Sequence, residues 1–382
     1  MRLLVWEWRK LFRLPALWVF LGLCLVLNGV LLSAPSALDR AFFNHTSADA
    51  AALGQRVDED FQAGLTTLPY TEDRDLLRQS TEGMENIFAG YDTGRELTGF
   101  YRQVMKEDPV AQEWMAWKYR LLQGRVDHLA RTGAAMDLYV GPITHASHQY
   151  LWDTLFRAVV TEGLLLGLLC ALYLVGHEEL AGTAALTCAS RTGRKLWRSK
   201  VLAALLAALG LYALLALCTL GPYLVLWDYG GIWSASVSSQ FNYLVDMLYA
   251  RPFLTWADFT VGGYFAAMVA AGGGLVAVFA LIGAAAGLTT GHTYGAAIAA
   301  AALCALMLGL SSLLANLGLW SVYLFTTFAP VNLWMSIGGW FTELGQAGAV
   351  PWQETVGLTL NLLAWGGLTL LALRRFARKD VA

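Results

Sequence analysis

The sequence predicts an all-α polytopic membrane protein with six transmembrane helices. Three observations carry that prediction. Of 382 residues, 57% are hydrophobic and only 14% charged, and the mean hydropathy is +0.50, too apolar for a soluble domain. The apolar residues gather in runs about as long as the ~20 residues that a hydrocarbon core of ~30 Å requires. Thirteen of the 26 Lys and Arg residues crowd into three short segments, 1–13, 177–200 and 374–379. Loops retained in the cytoplasm are enriched in these residues, so all three segments, and with them both ends of the chain, are expected inside. The formal net charge of −2 leaves no bulk basic field for nucleic acid.

In chain order, residues 1–13 (MRLLVWEWRKLFR) carry Arg2, Arg9, Lys10 and Arg13, with Trp6 and Trp8 suited to the headgroup region. They predict a cytoplasmic interfacial helix anchored by Arg9, Lys10 and Arg13. Pro15 allows a turn into the first span, 14–33. That apolar run is too long for a cleaved signal peptide and lacks a small-residue cleavage site before Ser33.

Residues 34–153 predict an extracytoplasmic helical domain. Its part 34–150 holds 11 basic and 17 acidic residues, a net of −6. Leu77, Thr81, Met84 and Phe88 recur at helical spacing. Asp108-Pro109 places an N-cap residue before a proline at the first helical position. In the helix that follows, Val110, Trp114, Trp117, Leu121 and His128 lie near one face, which reads as packing surface. His145 and His148 are three apart, but no cysteine joins them and no metal site is expected.

The second span, 154–176, carries Asp153, Arg157 and Glu162 at its outer end. Asp153 and Arg157 are spaced to pair on one helix face. Arg157 and Glu162 are the candidate intramembrane polar residues, for anchoring or for substrate contact. The third span is 201–226, followed by an outer loop, 227–258. From Phe259 to Thr342 there is no Asp, Glu, Lys or Arg. That region predicts a fourth span at 259–287 and a fifth at 295–316, with Gly283, Gly287, Gly291 and Gly295 as candidate close-packing positions. Residues 317–352 are apolar and aromatic but broken by Pro330 and Gly338-Gly339. With both ends inside, the crossings must be even in number, so 317–352 is expected as an outer re-entrant or interfacial segment before the sixth span, 353–374. Residues 375–382 form a cytoplasmic tail.

The segment 177–200, HEELAGTAALTCASRTGRKLWRSK, joins the second and third spans. It reads either as a docking surface through which a soluble partner moves two membrane helices or as a short basic loop that sets topology. Conventional enzyme signatures are missing. There is no G-x-x-x-x-G-K-[ST] phosphate loop, no H-E-x-x-H, no G-x-S-x-G and no CxxC. Cys24, Cys170, Cys188, Cys218 and Cys304 show no metal spacing and predict no structural disulfide outside the membrane.

The order of these features resembles a permease subunit of the type-2 ABC transporter (exporter) family. The likeness rests on the N-terminal Glu7, Arg9, Lys10, Leu11 and Phe12, then Glu178, Glu179, Gly182-Thr183, Ser190-Arg191 and Lys200 between spans two and three, and the basic end Arg-Arg-Phe-Ala-Arg-Lys-Asp. Cys188-Ala189 stands where the family often has a proline before the Ser-Arg pair. The resemblance implies a multi-pass protein of a cell membrane, expected to be a bacterial plasma membrane. It implies a coupling segment formed by Glu178, Glu179, Gly182, Thr183, Arg191 and Lys200. It further implies two copies of a separate ABC ATPase subunit carrying ATP and Mg, no cofactor on this chain, and a second permease subunit, identical or related. Membrane lipids would surround the pair, and the cargo would be an amphiphile: a peptide such as an antimicrobial peptide, a lipid-like molecule or a drug. The alternative is a membrane-anchored sensor whose 34–150 domain binds an external ligand.

Overall fold

The computed structural model describes residues 2–137, 149–190, 193–243 and 253–378. Among the described residues six helices are long and apolar enough to cross a membrane: Pro15–Ser33, Leu151–Leu180, Gly193–Leu226, Val261–Thr290, Thr293–Asn316 and Gln353–Phe376. The chain is therefore described as a multi-pass membrane protein. Spans two and four are 30 residues each. At 1.5 Å per residue that is about 45 Å, so they tilt or project beyond a ~30 Å core.

These lengths correct the expected boundaries. The second helix runs on to Leu180, where Gly182, at φ +64°, breaks it. Regular α-helix resumes at Leu196. Both ends of 177–200 therefore belong to spans, and Glu178 and Lys200 lie in helices rather than in a loop. The connection between them holds a short helix, Ala184–Ala189. Histidine, glutamate, arginine and lysine at these span ends did not stop the helices, because packing against neighbours outweighs local polarity.

Small residues set the centre of the bundle. Gly163 and Gly167 of span two face Val276 of span four, and a Cβ on Gly167 would lie 3.2 Å from the Val276 carbonyl. Further along, Gly283 and Gly287 of span four meet Ala171 and Val175 of span two. These contacts let the two helices approach closely within one chain. Gly291 and Gly295 do not share that role. Gly291 ends span four at φ +72° with open space around it, and Gly295 meets only its own turn. The reason is the helix break at 291–292, which takes both out of the face that Gly283 and Gly287 define.

The inserted domain is helical among the described residues, with helices Ala37–Leu53, Glu59–Thr67, Glu72–Thr81, Gly99–Val104 and Pro109–Thr132. The helical spacing of Leu77, Thr81, Met84 and Phe88 does not make one helix: Glu72–Thr81 ends before Gly83, which takes φ +71°, and Phe88 sits in a separate 3-10 turn. Asp108 caps the long helix through the Ala111 N–H at 3.0 Å. The stripe expected to pack this helix is corrected. Trp114 does pack, edge-on to Phe325 at 5.3 Å, but Val110, Trp117 and Leu121 are exposed, whereas Ala111, Met115, Leu122, Val126 and Leu129 are buried. Apolar residues occupy two faces of the helix, and the face that carries Tyr119 is the one turned inward. His145 and His148 lie outside the described residues.

Residues 317–352 form two short helices, Trp320–Thr326 and Pro330–Met335, followed by turns. Lys118 of the domain's long helix is wholly buried and donates to the carbonyls of Glu343, Gly345 and Gly348 at 3.0, 2.7 and 2.8 Å. The Tyr119 hydroxyl donates to the Glu343 carboxylate at 2.9 Å. Asp108 accepts from the Ser321 N–H at 2.6 Å. The inserted domain is thereby fastened to the segment before span six.

Candidate functional site

Charged residues meet where the amphipathic helix Arg2–Leu11 crosses the ends of spans two and three. Glu7 and Leu11 lie on its buried face, while Trp6 and Arg9 lie on the exposed one. The spacing of four is one helical turn, so Glu7 and Leu11 point the same way. Trp8 fixes the crossing by donating from its indole N–H to the Ala203 carbonyl of span three at 3.0 Å.

Four charges alternate at this crossing. Lys10 Nζ donates to Glu7 at 2.8 Å and to Glu178 at 2.9 Å. Lys200 Nζ pairs with Glu178, lies 3.3 Å from Glu7, and donates to the Leu174 carbonyl at 2.6 Å. Glu7, Glu178 and Lys200 are 2%, 4% and 0% exposed, so three helices share a buried, neutral quartet. Burial works against the charge on Lys10, but the hydrogen bonds to Glu7 and Glu178 outweigh it and raise its pKa. Removing one member leaves a buried charge uncompensated, at a cost of about 3–5 kcal/mol.

Glu179 makes a second joint. Its carboxylate accepts from the Thr293 N–H at 2.9 Å and the Thr293 hydroxyl at 2.8 Å, and lies 3.5 Å from His292. Thr293 opens span five, and His292 gives that helix no side-chain cap. A carboxylate from span two thus takes the place of the missing cap and complements the positive end of the helix.

The expected coupling residues therefore divide. Glu178 and Lys200 face inward, and Glu179 is held by span five. Thr183 follows the Gly182 turn and donates its N–H to the Glu178 carbonyl at 2.8 Å. Arg191 lies outside the described residues. What this segment presents outward is the helix Ala184–Ala189, with Leu186 77% exposed. Of the basic anchors, Arg9 stacks over Trp6 at 5.3 Å and Arg13 is exposed, while Lys10 is drawn into the quartet.

At the other end of span two, Arg157 pairs with Asp153 at 3.1 Å and donates to the Met335 carbonyl at 3.1 Å. Glu162 is buried and accepts from Asn28 Nδ2 of span one at 2.8 Å. Both residues are engaged between elements of the chain. A polar cleft of about 380 Å³ lies between the inserted domain and the loop after span three, lined by Arg56, His128, Asp137, Ser236 and Asp258 among others. Burial pushes the Asp258 carboxyl up, but Arg125 and His128 outweigh it and hold it below its ordinary value. Among the described residues no three His, Cys, Asp or Glu side chains converge as metal ligands.

Glu7, Asn28, Lys118 and Glu343 take part in these joints without having been candidates in the sequence. An acid inside a basic amphipathic segment was the one signal available for Glu7, and a buried lysine in a polar domain carries none. Comparison with family models, curated proteins and solved structures yields no match to this chain.

Proposed function

We propose that this chain is the permease subunit of a type-2 ABC exporter, moving an amphiphilic cargo with energy from ATP hydrolysed on a separate subunit. The supporting observation is the buried quartet Glu7, Lys10, Glu178 and Lys200. It joins the amphipathic helix to the ends of spans two and three. A force applied to the exposed helix Ala184–Ala189 would reach both spans through a joint that resists being opened. Glu179 would pass the same motion to span five. Six spans, a helical insert after the first and short helices before the last fit this reading.

In this reading Leu186 is the contact offered to the ATPase. Leu186→Asp should leave the chain inserted and folded, yet lower ATP hydrolysis by the assembled complex about tenfold, the scale of one lost apolar anchor. Full hydrolysis in that variant would remove Ala184–Ala189 as the docking element. The polar cleft beside the inserted domain favours a second reading, a membrane-anchored sensor of an external ligand. Specific ligand binding by the intact chain, with no ATPase partner, would select it.

A further inference from the structure

Spans five and six both pack on span four but barely touch one another. The space left between them is a cavity of about 290 Å³, lined by Ala285, Ala299, Leu303, Trp365, Leu371 and Arg375 among others. Its walls are apolar except at Thr289 and Arg375, and Arg375 is the one charged residue lining it. These residues lie toward the end of span four, the start of span five and the end of span six, so the cavity occupies the half of the bundle nearest the basic segments. It is open on one side, where Leu368 and Leu371 are about half exposed.

Among the described residues the charge at its mouth has no acidic partner. Spans four and five contain no acidic residue, and the acid of span six, Glu354, is at its opposite end. Arg374, Arg375 and Arg378 are exposed and make no ion pair among the described residues. Arg375 lies in the last turn of span six, and Arg378 follows in the turn after Phe376, its N–H donated to the Arg375 carbonyl at 3.0 Å.

We propose that this cavity holds one chain of an anionic phospholipid from the leaflet facing the basic end, with the headgroup phosphate on Arg375. An apolar slot beneath a guanidinium fits an acyl chain below a phosphate, whereas a free anion would leave the slot unfilled. Guanidinium binds phosphate oxygens through paired N–H donors. Basic pockets between membrane helices on the inner side bind such headgroups. The proposal needs the chain to sit in a membrane but does not depend on the exporter reading.

The test is native mass spectrometry of the full chain released from nanodiscs of equal phosphatidylglycerol and phosphatidylcholine. The wild-type chain should retain one phosphatidylglycerol in preference to phosphatidylcholine. Arg375→Gln should lower that preference about fivefold, the weight of one basic residue at a membrane surface. Ala299→Phe, at an exposed position in the cavity wall, should displace both lipids. Arg102→Gln, exposed on the inserted domain, should change nothing. Equal retention of the two lipids by the wild-type chain would overturn the proposal. So would unchanged preference in Arg375→Gln, or unchanged retention in Ala299→Phe. Dimers that Ala299→Phe dissolves, with no lipid bound, would assign the face to a second copy instead.

Discussion

Lys200→Met isolates the quartet's contribution. Methionine keeps much of the side chain's length and apolar volume but removes the charge that neutralises Glu178 and Glu7. The ammonium of Lys200 is wholly buried and 3.3 Å from Glu7, with Glu178 still closer. At an effective dielectric near 20, attraction to Glu7 alone is about 5 kcal/mol. Most of that is offset by the cost of burying the charges, and the loss on breaking the set is about 3–5 kcal/mol. Glu178→Gln should cost a similar amount. The double variant removes both partners together, so its cost should fall short of the sum by about 1–3 kcal/mol. Reversible denaturation in mixed detergent micelles, followed by tryptophan fluorescence, measures all three. A loss below about 0.5 kcal/mol for Lys200→Met, or strict additivity in the double variant, would refute the quartet as a stabilising joint.

Three further outcomes follow from the same geometry. Burial raises the Asp108 carboxyl, but N–H donors from Ser321 and Ala111 outweigh it, so its pKa lies below the ordinary carboxylate value. Its contribution is then complete above the unfolded value of about 3.9 and fades as pH falls through the lower folded value. Protection of the 320–326 amides, read by hydrogen exchange, should fall in that acid window, and Asp108→Asn should flatten the dependence. Lys118→Met takes a buried donor from three carbonyls and leaves the Glu343 carboxylate without its cation. It should loosen the inserted domain, seen as at least tenfold faster proteolysis within 99–137, while the spans stay protected. Asn28→Leu removes the donor to Glu162 and should cost about 1–3 kcal/mol, whereas Glu162→Gln, which can still accept from Asn28, should cost less. The same denaturation assay ranks the pair, and the reverse order would remove this contact as the link between spans one and two.

The spans were legible because a membrane imposes a long, one-dimensional signal. Some twenty apolar residues in a row need no partner to be recognised. The Asp108 cap and the Asp153–Arg157 pair were also legible, since both are set by spacing within one turn. The joints that organise the molecule were not. Lys10 and Glu178 are 168 residues apart, and Lys118 and Glu343 are 225 apart. Nothing local in either member marks its mate. The same limit explains the basic segment. Glu178 and Lys200 are charged and sit beside apolar runs, which reads as exposure when their partners are out of view. The long domain helix failed for a different reason. With Trp117 and Leu121 on one side and Met115 and Leu122 on another, its sequence carries two apolar faces, and only the neighbours choose between them. Gly291 and Gly295 continue the spacing of Gly283 and Gly287, but the turn expected between spans four and five falls at 291–292 and takes both off that face.

The exporter reading stands or falls on its partner. The most direct measurement is mild-detergent purification of the tagged chain from its native membrane, with mass spectrometry of everything retained at fixed stoichiometry. The account predicts an ABC ATPase bearing a phosphate-binding loop, one copy per copy of this chain, lost on Leu186→Asp and retained on Ala299→Phe. An intact, folded chain that brings no ATPase with it would contradict the account.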